Sequence, residues 1–232
     1  MKKMILSAVM LVFAASGRAQ EAGAASPTEH NEWLTTFEAV AVDADLDIKF
    51  VKVPDTEAPK IVYDTKGSYT SKFRAEVKDK TLRISERPDS RRPDRTEVTV
   101  YYNTLQSVSL SGAAAVFEGT VELDLTLGRK ASLTAAFDVK DLRMELTGGS
   151  SATLTGKASY LTLFASTGRV AASGLEVMSA EVNAQSKADV SLWITDRFIG
   201  KTTTNARITY KGQPAVVRGG AKFMGGEISH VE

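Results

Sequence analysis

At 232 residues the chain is long enough for one elongated domain, or for one domain with a smaller companion. Its net charge of +1, with 43% apolar and 25% charged residues, sets up no overall field toward nucleic acid or an anionic membrane. With no cysteine, the chain has no disulfide, thiol nucleophile or thiolate metal ligand.

In chain order, Lys2 and Lys3 precede an apolar run from Met4 to Ala15, and small residues follow up to Ala19. That layout predicts a secretory signal peptide over residues 1–19, with an exported mature chain in the periplasm or at the cell surface. The apolar run is too short for a transmembrane span, and no later segment qualifies. No cysteine follows the predicted cleavage site, so anchoring as a bacterial lipoprotein is not expected. Residues 20–32 are polar and aperiodic and read as a mobile leader.

Strand patterning begins at Trp33 and defines a strand-rich N-terminal part, residues 33–104. From Val40 to Phe50 the even positions are apolar, while Asp43, Asp45, Asp47 and Lys49 fill odd ones, as in a half-buried strand or hairpin. Further strands are predicted at Lys60–Tyr63, Phe73–Val77, Thr81–Ser85 and Glu97–Tyr102, separated by turn-rich pieces. No window carries a 3.6-residue apolar stripe with helix start and stop signals, so the chain should be almost free of helix.

Residues 105–232 repeat. One apolar column reads Ala114, Leu133, Ala152, Ala171, Val190, Ile208, and a second reads Val116, Ala135, Leu154, Ser173, Leu192, Tyr210, Ile228. A third set runs from Leu123, Leu125 and Leu127 through Leu142, Met144, Leu146 and Leu161, Leu163, Ala165 to Phe198, Gly200, Thr202. The period is about 19 residues, and the internal spacing of two means strands. Turn residues at Ser111-Gly112, Gly148-Gly149, Thr167-Gly168, Ser186-Lys187 and Thr204-Asn205 fit tight corners. The spacing matches neither a left-handed hexapeptide helix, a calcium β-roll nor a leucine-rich repeat. The predicted fold is all-β, a right-handed parallel β-helix of about six coils with a C-terminal cap.

Chemistry is harder to find. His30 and His230 are the only histidines and lie near opposite ends of the chain, so a histidine triad or zinc site is not expected. Asp43, Asp45 and Asp47 resemble a calcium loop, but Ile48 and Pro54 occupy its glycine and glutamate positions. They read better as the solvent face of a strand. Arg91, Arg92 and Arg95 read as a solvated basic loop, and the glycine-rich Arg218–Gly226 as an end cap rather than a nucleotide cradle. Asp124, Asp138, Asp141, Glu145, Glu176, Glu181, Asp189 and Asp196 share no column, and Lys157, Arg169 and Lys187 lie near turns. No carboxylate pair can be placed at glycosidase spacing. Trp193, one residue after Leu192, should point outward and is the one candidate ligand-binding residue, for sugar stacking. No catalytic residue, metal or cofactor is expected.

Phe37-Glu-Ala-Val-Ala-Val42, Lys80-Thr-Leu-Arg-Ile84, Leu105-Gln-Ser-Val-Ser-Leu-Ser-Gly112 and Asn205-Ala-Arg-Ile-Thr-Tyr-Lys-Gly-Gln-Pro214 together resemble the putative auto-transporter adhesin family with the head GIN domain. The resemblance spans roughly Thr36 to Glu232. The chain departs from it at Lys130, Lys187 and Ala206, where family members usually carry a corner glycine. The resemblance implies an exported, adhesin-like, non-enzymatic β-helix of the cell envelope that presents an extended surface to glycan or protein. It transfers no catalytic residues. A polysaccharide lyase or hydrolase is the alternative, and self-association through the open solenoid end is a further expectation.

Overall fold

The computed structural model describes residues 28–66, 72–87, 94–121 and 124–232. The predicted signal peptide, most of the leader, and Arg91 and Arg92 lie outside them. The described residues form seventeen strands joined into one continuous ladder, with no α-helix.

Two series of parallel strands build a β-solenoid. One face stacks β6 (Thr81–Glu86), β2 (Ala39–Asp43), β8 (Ser107–Ser111) and β10 (Asp124–Gly128). It continues through the C-terminal halves of β11 (Ser132–Leu146), β12 (Ser151–Ser166), β13 (Arg169–Gln185) and β14 (Asp189–Thr203) to β16 (Val216–Phe223). The other face stacks β7 (Thr96–Tyr102), β3 (Leu46–Lys52), β9 (Ala114–Val121) and the N-terminal halves of β11 to β14. It ends at β15 (Arg207–Lys211) and β17 (Glu227–His230).

The order of stacking departs from the order of the chain. The first coil, β2–β3, sits between β6–β7 on one side and β8–β9 on the other. Backbone bonds run Glu38 N to Lys80 O (2.9 Å), Gln106 N to Glu38 O (2.7 Å) and Asp124 N to Gln106 O (2.8 Å), tying four strands in this order. Crossing two strand spacings is about 10 Å, which Asn103–Gln106 spans easily. The N-terminal strands therefore share one core with the repeat.

Antiparallel strands close the N-terminal end. β4 (Lys60–Asp64) pairs with β7, β5 (Phe73–Lys78) pairs with β6, and β1 (Glu29–Trp33) pairs with β4. β1 falls where polar composition predicted leader. Backbone pairing on a sheet edge needs no apolar alternation, and His30 secures it by stacking on Tyr63, which stacks in turn on Phe73.

The interior columns are continuous. One runs Val98, Ile48, Ala115, Leu133, Ala152, Val170, Val190, Ile208, Ile228. Another, predicted in register, includes Leu125, Met144, Leu163 and Val182. The first two predicted columns slip by one residue in places. Ala115, Val170, Phe117 and Ala172 are buried where Ala114, Val116, Ala171 and Ser173 were expected, and Ile228 faces Ile208 instead of following Tyr210. Coil lengths vary around the mean, and a one-residue slip turns every following side chain to the other face.

The corners explain the period. Arg129-Lys130, Gly148-Gly149, Ser186-Lys187 and Thr204-Asn205 all have positive φ at both residues. A bond from the fourth residue of each turn to the first closes it, as in Ala131 N to Gly128 O (3.0 Å) and Ala188 N to Gln185 O (3.0 Å). This is the type I′ pattern, in which glycine or asparagine is favoured and lysine strained. Corners also bond coil to coil, from Lys130 N to Gly148 O (3.0 Å) and from Lys187 N to Thr204 O (2.9 Å). Lys130 and Lys187 thus keep the corner geometry without glycine. Ala206 is the buried closing residue of its turn, equivalent to Ala131 and Ala188.

Candidate functional site

Because inward positions are filled by packing, chemistry is confined to outward side chains. Strand alternation puts these in rows across neighbouring coils, one row about every 7 Å along the strand and one residue about every 4.8 Å across it.

Near the N-terminal end, the outer face of β4, β7, β3 and β9 forms a groove of about 770 Å³. Register aligns four carboxylates along it, Glu29, Asp64, Glu97 and Asp47. Like charges on adjacent strands repel, and cations answer them. Lys66 lies 3.4 Å from Asp64 and 3.0 Å from Glu97. The Thr28 hydroxyl, 2.7 Å away, holds the Asp64 carboxyl below the usual carboxylate range, aided by Lys66. Glu97 in turn pushes the Lys66 ammonium up. Asp64 is therefore an ionised partner in this row, the opposite of a protonated general acid.

A second groove, of about 350 Å³, lies on the other face, over the backbone of Leu125, Met144 and Leu163. Its middle row reads Thr126, Glu145, Phe164, Asn183 by register. The adjacent row reads Arg143, Thr162, Glu181. Phe164 is a half-buried ring on the outer side of the sheet, flanked by a carboxylate and an amide at one strand spacing each. Asp124 joins the lining. The sequence hid this site because Asp124, Glu145 and Glu181 come to line one groove only through coil register, and Phe164 alternates like any strand residue.

Trp193 faces outward as expected, and the Lys211 ammonium sits 4.6 Å from its ring centre. The indole is half-buried, with one face engaged in a cation–π contact. His30 and His230 belong to β1 and β17, at opposite ends of the stack, and His230 Nε2 lies 2.7 Å from the Gly212 carbonyl. No cluster of metal-ligating side chains occurs among the described residues.

The three aspartates are ion-paired. Asp43 meets Arg129 at 2.6 Å, and Arg95 reaches Asp45 at 2.7 Å and Asp47 at 2.9 Å. Arg95 also donates to the carbonyls of Leu46 (3.0 Å) and Gly112 (3.2 Å). It is a clamp on the corners of two successive coils rather than a member of a solvated loop. Arg218–Gly226 contains the end of β16 and a positive-φ corner at Met224-Gly225, so it continues the winding. Elsewhere Arg169 pairs with Asp189 (3.5 Å) and Lys157 with Glu176 (4.0 Å) on the surface.

The model of the family described as "Putative auto-transporter adhesin, head GIN domain" matches residues 36–214. Among solved structures, a putative adhesin from Bacteroides fragilis is similar at a TM-score of 0.76 and 19% identity, over 88% of this chain and 96% of that one. A putative adhesin from Parabacteroides merdae is similar at 0.66 and 16%, over 88% and 95%. A protein from Parabacteroides distasonis titled as a putative lipid binding protein is similar at 0.62 and 14%, over 88% and 96%. At these identities the likeness is one of fold. No curated protein matches the chain in sequence.

Proposed function

The chain belongs to the putative auto-transporter adhesin family with the head GIN domain, and on that premise we propose that it is an exported, non-enzymatic binding protein of the bacterial cell envelope. It holds glycan or protein on the outer faces of its solenoid. The observation that carries this reading is the division of labour between faces. Inward columns are packed side chain on side chain, while outward rows present grooves of mixed polar character over backbone fixed by neighbouring coils. A rigid scaffold with displayed side chains suits recognition, because little order is lost on binding.

The same geometry gives less support to polysaccharide cleavage. That chemistry needs one carboxyl kept protonated near a second carboxylate, whereas in the larger groove Lys66 pairs with both Asp64 and Glu97. The amino-terminal basic and apolar layout supports export. No helix among the described residues is long and apolar enough to cross a membrane.

The test is a glycan and surface-protein array probed with the full exported chain, followed by mass spectrometry of the bound oligosaccharides. Saturable binding to a restricted set, with ligands recovered intact, is expected. Shortened oligosaccharides would overturn the non-enzymatic reading, and no binding to any member would overturn the adhesin-like one.

A further inference from the structure

Resting on that reading, we propose that the groove around Phe164 is a sugar subsite that takes a neutral or amino-bearing pyranose. A pyranose has a face of C–H groups and a rim of hydroxyls that both donate and accept. The groove offers the complement of each. Phe164 presents an apolar ring within an otherwise polar row, where Glu145 and Asn183 stand on either side in register. One row away, Arg143 and Glu181 flank Thr162. At separations from Phe164 of about 5 Å along the row and about 8 Å on the diagonal, carboxylates, amide and guanidinium all reach one saccharide residue on the ring. The volume, about 350 Å³, falls in the range of roughly 300 to 1,000 Å³ of small-ligand sites.

Charge selects the sugar. Asp124, Glu145 and Glu181 line the groove against one guanidinium, Arg143. An acidic saccharide would set its carboxylate against that excess, a repulsion that discriminates as effectively as an attraction. A neutral or amino-bearing sugar meets no such opposition. In the larger groove near Glu97 the aromatic ring among the described lining residues, Tyr63, is buried and already hydrogen-bonded to Glu32. At Trp193, Lys211 already lies over the ring.

The site is reached by both neighbouring coils, so its geometry depends on register rather than on a mobile loop. Glu145, Phe164 and Asn183 belong to three successive long strands whose partners are continuous on both sides of the groove. The subsite is therefore preformed, and binding should leave the backbone unchanged.

Titration calorimetry with the best oligosaccharide from the array, using full-length wild type, Phe164→Ala, Phe164→Trp, Asn183→Ala and Trp193→Ala, decides the matter. Circular dichroism controls for folding. Phe164→Ala is expected to weaken binding at least tenfold, Asn183→Ala to weaken it several-fold, and Phe164→Trp and Trp193→Ala to retain it. Wild-type binding that survives both Phe164→Ala and Asn183→Ala overturns the subsite and leaves the adhesin reading standing. A best ligand that is acidic overturns the charge argument and with it the proposal. Wild type that binds only proteins overturns the subsite, and wild type that binds nothing overturns both readings.

Discussion

Phe50 lies face to face with Phe117, ring centres 4.5 Å apart and planes 11° from parallel, although five strands intervene in the chain. The contact exists because β3 and β9 are lateral neighbours while β4 to β7 fold back to the far side of the first coil. Residues that precede the repeat thus supply the surface on which it is laid. Phe50 is fully buried in this arrangement.

Arg95 fixes the same region from outside. It pairs with Asp45 and Asp47 and donates to two corner carbonyls. Hydrogen bonds to charged groups contribute about 1.5–3 kcal/mol each, but this side chain is about a third exposed and solvent screens part of that. Arg95→Ala should lower unfolding free energy by about 2 kcal/mol in urea titration. Arg95→Lys should recover little of it, since an ammonium cannot span the four acceptors as a planar fork does. A fully restored Lys variant would show that charge alone matters there.

Corner chemistry predicts opposite effects for two substitutions. Lys187 holds φ at 67°, so Lys187→Gly should stabilise the chain by about 1 kcal/mol. Gly212 holds φ at 98°, and a Cβ there would run into the Ile194 carbonyl oxygen. Gly212→Ala should therefore cost at least about 1 kcal/mol. Thermal melts of the two variants check both signs.

That glycine also shows what was readable and what was not. Tyr210-Lys211-Gly212-Gln213-Pro214 was legible as a family-like motif, and the structure supplies its cause in the close backbone approach at Gly212. The column through Met144 and Leu163 was legible because strand alternation and period agree there. Ala115 and Val170 were not, because adjacent residues are also apolar or small and a mean period cannot resolve a single-residue slip. The interleaving of β2–β3 left no local signal at all. Alternation reports which face a residue takes, but not which strand lies beside it. The Phe164 groove was hidden for the same reason.

Tyr63 predicts an alkaline response. Its hydroxyl donates to Glu32 at 2.7 Å, and burial, reinforced by Glu32, pushes its pKa from 10.0 to about 12. The folded chain then keeps a proton that the unfolded chain loses. The contribution is fully present below pH 10 and is lost as pH rises toward 12. Wild type should lose stability across that window faster than Tyr63→Phe, in denaturant titrations at successive pH values. Equal slopes for the two would remove Tyr63 as the source.

The stacking order is the premise on which every outward row rests, and the absence of native cysteine lets engineered pairs report it cleanly. Ala41 is the register partner of both Arg83 and Ser109. Under mild oxidation, Ala41→Cys with Ser109→Cys and Ala41→Cys with Arg83→Cys should each form an intramolecular disulfide, detected by mass spectrometry. Arg83→Cys with Ser109→Cys should not, because those strands are two spacings apart, about 10 Å, and a disulfide needs α-carbons within about 7 Å. Efficient cross-linking of the Arg83 and Ser109 positions, with none between positions 41 and 109, would mean that the coils stack in chain order and would contradict the account.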